Sequence, residues 1–140
     1  MNKKGFTLVE LMVVISILAL LAVISLATYS NVQKSGRDVK RKADLAVIQS
    51  ALEQYHADQK YYPNTVSFSG SGNISYGAKI YLTKVPNDSI SASQYCYSPS
   101  PLSCTTACTS YQLFAKLENV TNGTSSCGSY NLYNYIVTSP

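Results

Sequence analysis

Histidine is almost absent from this 140-residue chain; the single copy is His56. A hydrolytic triad would have to be built around that residue, and no GxSxG nucleophile element accompanies it, so an enzyme is not expected. Charge is scarce as well. Charged residues make up 13% against 46% hydrophobic, and the formal net charge is a modest +4. Past Lys60 the only basic residues are Lys79, Lys84 and Lys116, which excludes a broad nucleic-acid-binding face. Acids also run out: Asp88 is the last aspartate and Glu118 the last acid of any kind. No CxxC occurs, and among the cysteines only Cys104 and Cys108 are close in sequence. A zinc site needs paired close spacings, so none is expected. Proline is missing before Pro63.

What is present divides sharply. Lys3 and Lys4 open the chain, and an apolar stretch then runs from Phe6 to Ala27, interrupted only by Thr7, Glu10, Ser16 and Ser25. A bilayer core needs about 20 such residues as a helix. A secretory h-region is shorter and ends at a small-residue cleavage site, so a membrane span is the better reading. Lys3 and Lys4 should stay cytoplasmic, which sends the C-terminus across the membrane. Lys34, Arg37, Lys40, Arg41 and Lys42 are also positive but must then lie outside, so charge alone leaves the orientation ambiguous. The Lys40–Arg41–Lys42 run reads as a solvated helix face. The alternatives are anionic lipid headgroups or acidic groups of a neighbouring subunit.

Helical periodicity continues beyond the span. Leu45, Ile48, Leu52 and Tyr55 recur at steps of three and four and mark one apolar face, with Arg41, Asp44, Gln49, Glu53 and Gln54 largely off it. The helix should end near Lys60, because Tyr62 precedes Pro63 and a residue before proline avoids the α region. A helix from Phe6 to Lys60 would be roughly 80 Å long. No small domain buries that length, so its first half must lie in lipid or against other copies. Ser30-Asn31 and Ser35-Gly36 mark a soft point or bend.

From Pro63 the chain is rich in Ser, Thr, Tyr, Asn and Gly. Val66–Gly72 reads as loop, Lys79–Leu82 as a short strand or helical turn, and Ser93–Tyr97 as a strand broken by Ser98-Pro99-Ser100-Pro101. Tyr111–Leu117 is the clearest strand and Tyr130–Val137 a further one. A long helix followed by hairpin-connected strands is α+β, with the amphipathic half of the helix on a small antiparallel sheet. The organisation expected is a short leader over 1–5, a transmembrane helix over 6–29, its amphipathic continuation over 30–62 and a β-rich region over 63–140. Cys96, Cys104, Cys108 and Cys127 all fall in that last region. An even count downstream of a membrane segment points to disulfides in an oxidising compartment. Four cysteines allow three connectivities, and the sequence does not choose among them. A local Cys104–Cys108 link with Cys96 joined to Cys127 is the arrangement carried forward. Sequons occur at Asn73, Asn87, Asn119 and Asn122, in a composition where chance matches are expected.

Lys4-Gly5-Phe6-Thr7-Leu8-Val9-Glu10 followed by an apolar helix resembles the class III signal of type IV pilins and type II secretion pseudopilins. The resemblance implies cleavage after Gly5 by a membrane prepilin peptidase, N-methylation of Phe6, and Glu10 as the carboxylate of assembly. It also implies a pilin-like fold, an inner-membrane assembly platform and a homo-oligomeric filament, with nucleic acid only as a ligand of an assembled pilus. The subunit would be a single-pass inner-membrane protein before assembly, and part of an extracellular pilus or a periplasmic pseudopilus afterwards. A carboxylate inside hydrocarbon costs about 2.5–3.5 kcal/mol on insertion scales and is normally paired. No basic residue lies between Phe6 and Ala27, so the partner implied is the amine that cleavage would create on a neighbour's Phe6. The simpler alternative is solvation of Glu10 by headgroups.

At lower specificity, Tyr61-Tyr62-Pro63, Tyr81–Asp88 and Tyr111–Glu118 resemble elements of major pseudopilins. Two departures stand out: the kink-forming proline of many pilins is missing, and so are the late acids through which major pseudopilins bind calcium. No cofactor is expected, because a calcium site needs several oxygen ligands and usually more than one carboxylate; were calcium bound, Asp88 is the candidate. Pilus and pseudopilus remain open readings, beside a monomeric membrane-anchored binding module.

Overall fold

The computed structural model describes residues 5–88, 90, 95–102, 104–120, 123, 125–128 and 130–140. The basic leader, the first half of the strand expected at Ser93–Tyr97, and parts of the sequons at Asn87, Asn119 and Asn122 lie outside the described residues.

One helix dominates the fold. α1 spans Leu8–Gln59 without a break, which at 1.5 Å per residue is about 78 Å. It passes through Ser30-Asn31 and Ser35-Gly36, where a soft point is expected, as regular α-helix. Its start is set by Thr7, whose extended backbone (φ −79°, ψ 152°) and side chain cap the first turn. Its end is set by Lys60, which turns left-handed at φ 67° while its N–H returns to the His56 carbonyl. Such a turn takes the chain out of helical register, and Tyr62, which precedes Pro63, is disfavoured from the α region.

The two halves of α1 meet different surroundings. Leu8–Ser25 has a mean hydropathy of 2.8 and none of it is buried by the rest of the chain. In the second half, Leu45, Ile48 and Leu52 are fully buried and Tyr55 nearly so. They pack on a core built with Ile74, Val85, Tyr95, Tyr111, Leu113 and Ala115. Burying each such aliphatic side chain contributes about 1.5–3 kcal/mol, so this half of α1 is held by the domain while the first half is not.

Among the described residues, three small antiparallel sheets complete the α+β fold. β1 (Ile74–Tyr76) and β2 (Lys79–Leu82) form a hairpin. Its turn holds Gly77 at φ 57°, which glycine adopts without the steric cost of a side chain. β3 (Cys96–Ser100), β4 (Ser110–Ala115) and a C-terminal strand, β7 (Tyr135–Thr138), make a sheet of order β3-β4-β7. β5 (Ser125–Cys127) pairs with β6 (Tyr130–Tyr133).

The strand expectations need three corrections. Ser98-Pro99-Ser100 does not break β3, where Pro99 pairs with Tyr111 in register. β3 lies at the sheet edge, and there a residue with no N–H to donate is tolerated. The expected strand Tyr130–Val137 is two strands in different sheets, separated at Asn134. The Asn134 amide group makes the break: it accepts from the Leu117 N–H at 2.7 Å and donates to the carbonyls of Leu117 at 2.9 Å and Val120 at 2.8 Å. β1 and β5, of three residues each, were not expected; runs that short carry no readable alternation.

Candidate functional site: the helix N-terminus and the charged collar

The first site begins at Gly5. A side chain built there would meet nothing within 4 Å, so the fold of this chain does not itself require glycine. Phe6 follows, 88% exposed. Thr7 and Glu10 then form a reciprocal capping box. The Thr7 N–H donates to Glu10 Oε2 at 2.9 Å, the Thr7 hydroxyl to the same oxygen at 2.8 Å, and the Glu10 N–H returns to Thr7 Oγ1 at 3.3 Å. Backbone donors in the first turn of a helix have no intrahelical acceptor, and in hydrocarbon no water would replace one.

The rest of the apolar half follows the same rule. Ser16 donates to the Val13 carbonyl at 2.7 Å and Ser25 to the Leu21 carbonyl at 2.9 Å. Its hydroxyls are thus satisfied within the helix, and the one ionisable side chain from Phe6 to Ser25 is Glu10.

A second, charged site sits where α1 enters the domain. Arg41, expected on a solvated face, is 1% exposed. Its Nε meets Asp88 Oδ2 at 3.0 Å, and its Nη1 lies 3.0 Å from both Asp38 Oδ1 and Glu118 Oε1. Arg37 clasps Glu118 with two further bonds, of 2.7 and 2.5 Å. Asp38 in turn accepts the backbone N–H groups of Glu118 at 2.8 Å and Asn119 at 2.9 Å. Above all it is the hydrogen bond from Arg37 that lowers the Glu118 carboxyl to about 2. Lys40 and Lys42 do face solvent.

A signal for this was present in the sequence. Asp38 and Arg41 continue the buried positions 45, 48, 52 and 55 upstream at the same three- and four-residue steps. Polar side chains hid the pattern.

Farther along, Glu53 accepts from the hydroxyls of Tyr62 at 3.0 Å and Tyr111 at 2.8 Å, tying α1 to the segment after it and to β4. Cys96 is bonded to Cys127 and Cys104 to Cys108, with no free cysteine among the described residues. The first bridge joins β3 to β5, and the second closes a tight loop whose Cys108 makes a lone β-bridge with Tyr62.

Asp88, through which calcium would be sought, has a side chain only 3% exposed and is taken up by Arg41. Among the described residues no three acidic, histidine or cysteine side chains are grouped to hold a metal ion.

Residues 1–26 match the prokaryotic N-terminal methylation motif. This motif covers Gly5, Phe6, Thr7, Glu10 and the apolar half of α1 as far as Leu26. Relatives of the chain include the type II secretion system core protein G of Escherichia coli (strain K12), 33% identical over 64 residues, which are 46% of this chain and 44% of that protein. The core protein G of Klebsiella pneumoniae is 41% identical over 65 residues, 46% of each chain. The type IV major pilin protein PilA of Myxococcus xanthus (strain DK1622) is 26% identical over 82 residues, 56% of this chain and 37% of PilA. The chain thus spans less than half the length of these curated relatives. No solved structure gives a significant match.

Proposed function

We propose that the chain is the precursor of a structural subunit of a type IV pilus-like filament, cleaved after Gly5, N-methylated on Phe6, and assembled through its N-terminal helix. The carrying observation is Glu10: it is the lone carboxylate on the apolar first half of α1, Leu8–Ser25, which the domain leaves wholly uncovered. A simple anchor gains nothing from a charge there. A filament does, because the carboxylate of one subunit can meet the new Phe6 amine of the next in one stacking register only. The methylation motif supports the reading, and so does Gly5, which the fold itself does not demand.

In this reading the leader stays cytoplasmic, residues 6–29 span the inner membrane, and the domain lies outside. A prepilin peptidase and an inner-membrane assembly platform act on the subunit before it joins its filament. The test is an intact-mass measurement of the native protein together with electron microscopy of its filaments. A chain beginning at N-methylated Phe6 and found in filaments supports the proposal. Retention of Met1, or a cut near Ala27, would refute it.

A second reading, a periplasmic type II secretion pseudopilus, is favoured by the core protein G relatives. Shearing intact cells separates the two: surface filaments made of this chain support the pilus, and their absence beside a block in protein secretion on deletion supports the pseudopilus.

A further inference from the structure

Three carboxylates converge at the collar from segments far apart in the chain: Asp38 on α1, Asp88 after β2, and Glu118 after β4. Left alone, three like charges at such range repel one another, and a fold that gathers them must supply a cation. We propose that the buried Arg41 guanidinium is that built-in cation, clamping the segments around Asp88 and Glu118 onto α1, so that closure of the domain over the helix needs no divalent ion.

The geometry is specific to a guanidinium. Nε is committed to Asp88, while Nη1 is shared by Asp38 and Glu118, each at 3.0 Å. A planar fork holds separate acceptors in separate directions, which a lysine ammonium on a flexible stem does not. Arg37 brings a second cation to Glu118 from one turn earlier. Three carboxylates against two guanidiniums leave one negative charge. The backbone N–H groups of Glu118 and Asn119 donate into Asp38 and offset it further. A calcium ion would need six to eight oxygens at about 2.3–2.6 Å, and the space between these carboxylates is filled by Arg41 itself, 1% exposed.

The inference stands apart from the filament reading, because it is measured on the unassembled chain. Full-length protein in detergent is melted while its near-ultraviolet tyrosine dichroism is followed, in excess EGTA and in millimolar calcium chloride. The wild type is expected to melt at the same temperature in both. Arg41→Met should melt lower by about 10 °C or more, because its loss leaves buried carboxylates uncompensated. Adding Asp88→Asn to Arg41→Met should recover part of that loss. A wild type that gains stability from calcium would overturn the proposal, and so would an Arg41→Met chain that melts like wild type or a double variant that recovers nothing. Should Arg41→Met fail to fold, Asp88→Asn and Glu118→Gln carry the test: each must lower the melting temperature, and unchanged melting in either would overturn it.

Discussion

Thr7 and Glu10 satisfy each other across the first turn of α1, and both bonds from Thr7 end on one carboxylate oxygen, Oε2. Neither bond from Thr7 ends on the other oxygen, Oε1. On the proposed filament reading, the capping box would carry Glu10 in the membrane before assembly without using up its capacity for a partner.

This relationship separates three variants. Glu10→Ala should keep insertion and cleavage but lose filaments, because the Phe6 amine of each neighbour is left unmatched. Removing one partner of a buried pair costs about 3–5 kcal/mol. Co-expression with wild type should restore some filaments, since mixed neighbours still supply some pairs. Thr7→Ser retains the cap and should assemble normally, whereas Thr7→Ala loses about 1 kcal/mol of helix capping. Cleavage is read by mass and filament number by electron microscopy. Normal filaments from Glu10→Ala alone would show that the carboxylate does not set the register.

The two disulfides should differ in worth. Cys96–Cys127 closes a separation of 31 residues and Cys104–Cys108 one of 4. On the loop-entropy account, removal of the longer bridge costs about 3–4 kcal/mol and of the shorter about 2 kcal/mol. Denaturant unfolding of the two double-serine variants checks the order. Labelling of the unfolded, unreduced wild type should find no reactive thiol.

Acid should loosen the collar through Glu118. The hydrogen bond from Arg37 holds its carboxyl down at about 2, below the usual 4.5. A depressed folded-state value means the stabilisation is fully present above about pH 4.5 and is lost as the pH falls toward 2. Glu118→Gln should be less stable than wild type at neutral pH, and the gap should shrink over that acid window. A gap constant from pH 7 to pH 2 would show that the ion pairs with Arg37 and Arg41 do not contribute.

At the other end of the domain, Glu53 is the shared acceptor of Tyr62 and Tyr111. Glu53→Leu leaves two tyrosine hydroxyls without that acceptor and should cost about 2–6 kcal/mol, at about 1–3 kcal/mol per buried unsatisfied group. Burial first, and then the bond to Glu53, raise Tyr62 to about 12. A raised folded-state value for a tyrosine stabilises the fold below pH 10, and that contribution is lost as the pH rises from 10 through 12. Tyrosinate absorbance followed by pH titration should therefore lag in the wild type and appear earlier in Glu53→Leu.

Much of the architecture was legible because its causes are local. A long apolar run, a glycine before an aromatic residue and an acid four residues later are contiguous in the chain, so the leader motif and the exposed half of α1 could be read directly. The end of α1 at Gln59 follows from the apolar repeat stopping and from Pro63, again within a few residues. The collar was not legible in this way. Arg41 looks solvated beside Lys40 and Lys42, and only folding brings Asp88 to it from 47 residues away, with Glu118 reaching Arg37 from 81 away. The same holds for β3, where Pro99 breaks a strand unless that strand lies at an edge, and for Tyr130–Val137, which stays one strand unless Asn134 finds Leu117 and Val120. Local composition determined what could form a helix or enter a membrane. Which charges are buried and where strands end was decided by tertiary contacts, because a buried charge or an unpaired backbone group is tolerated only where a distant partner arrives to satisfy it.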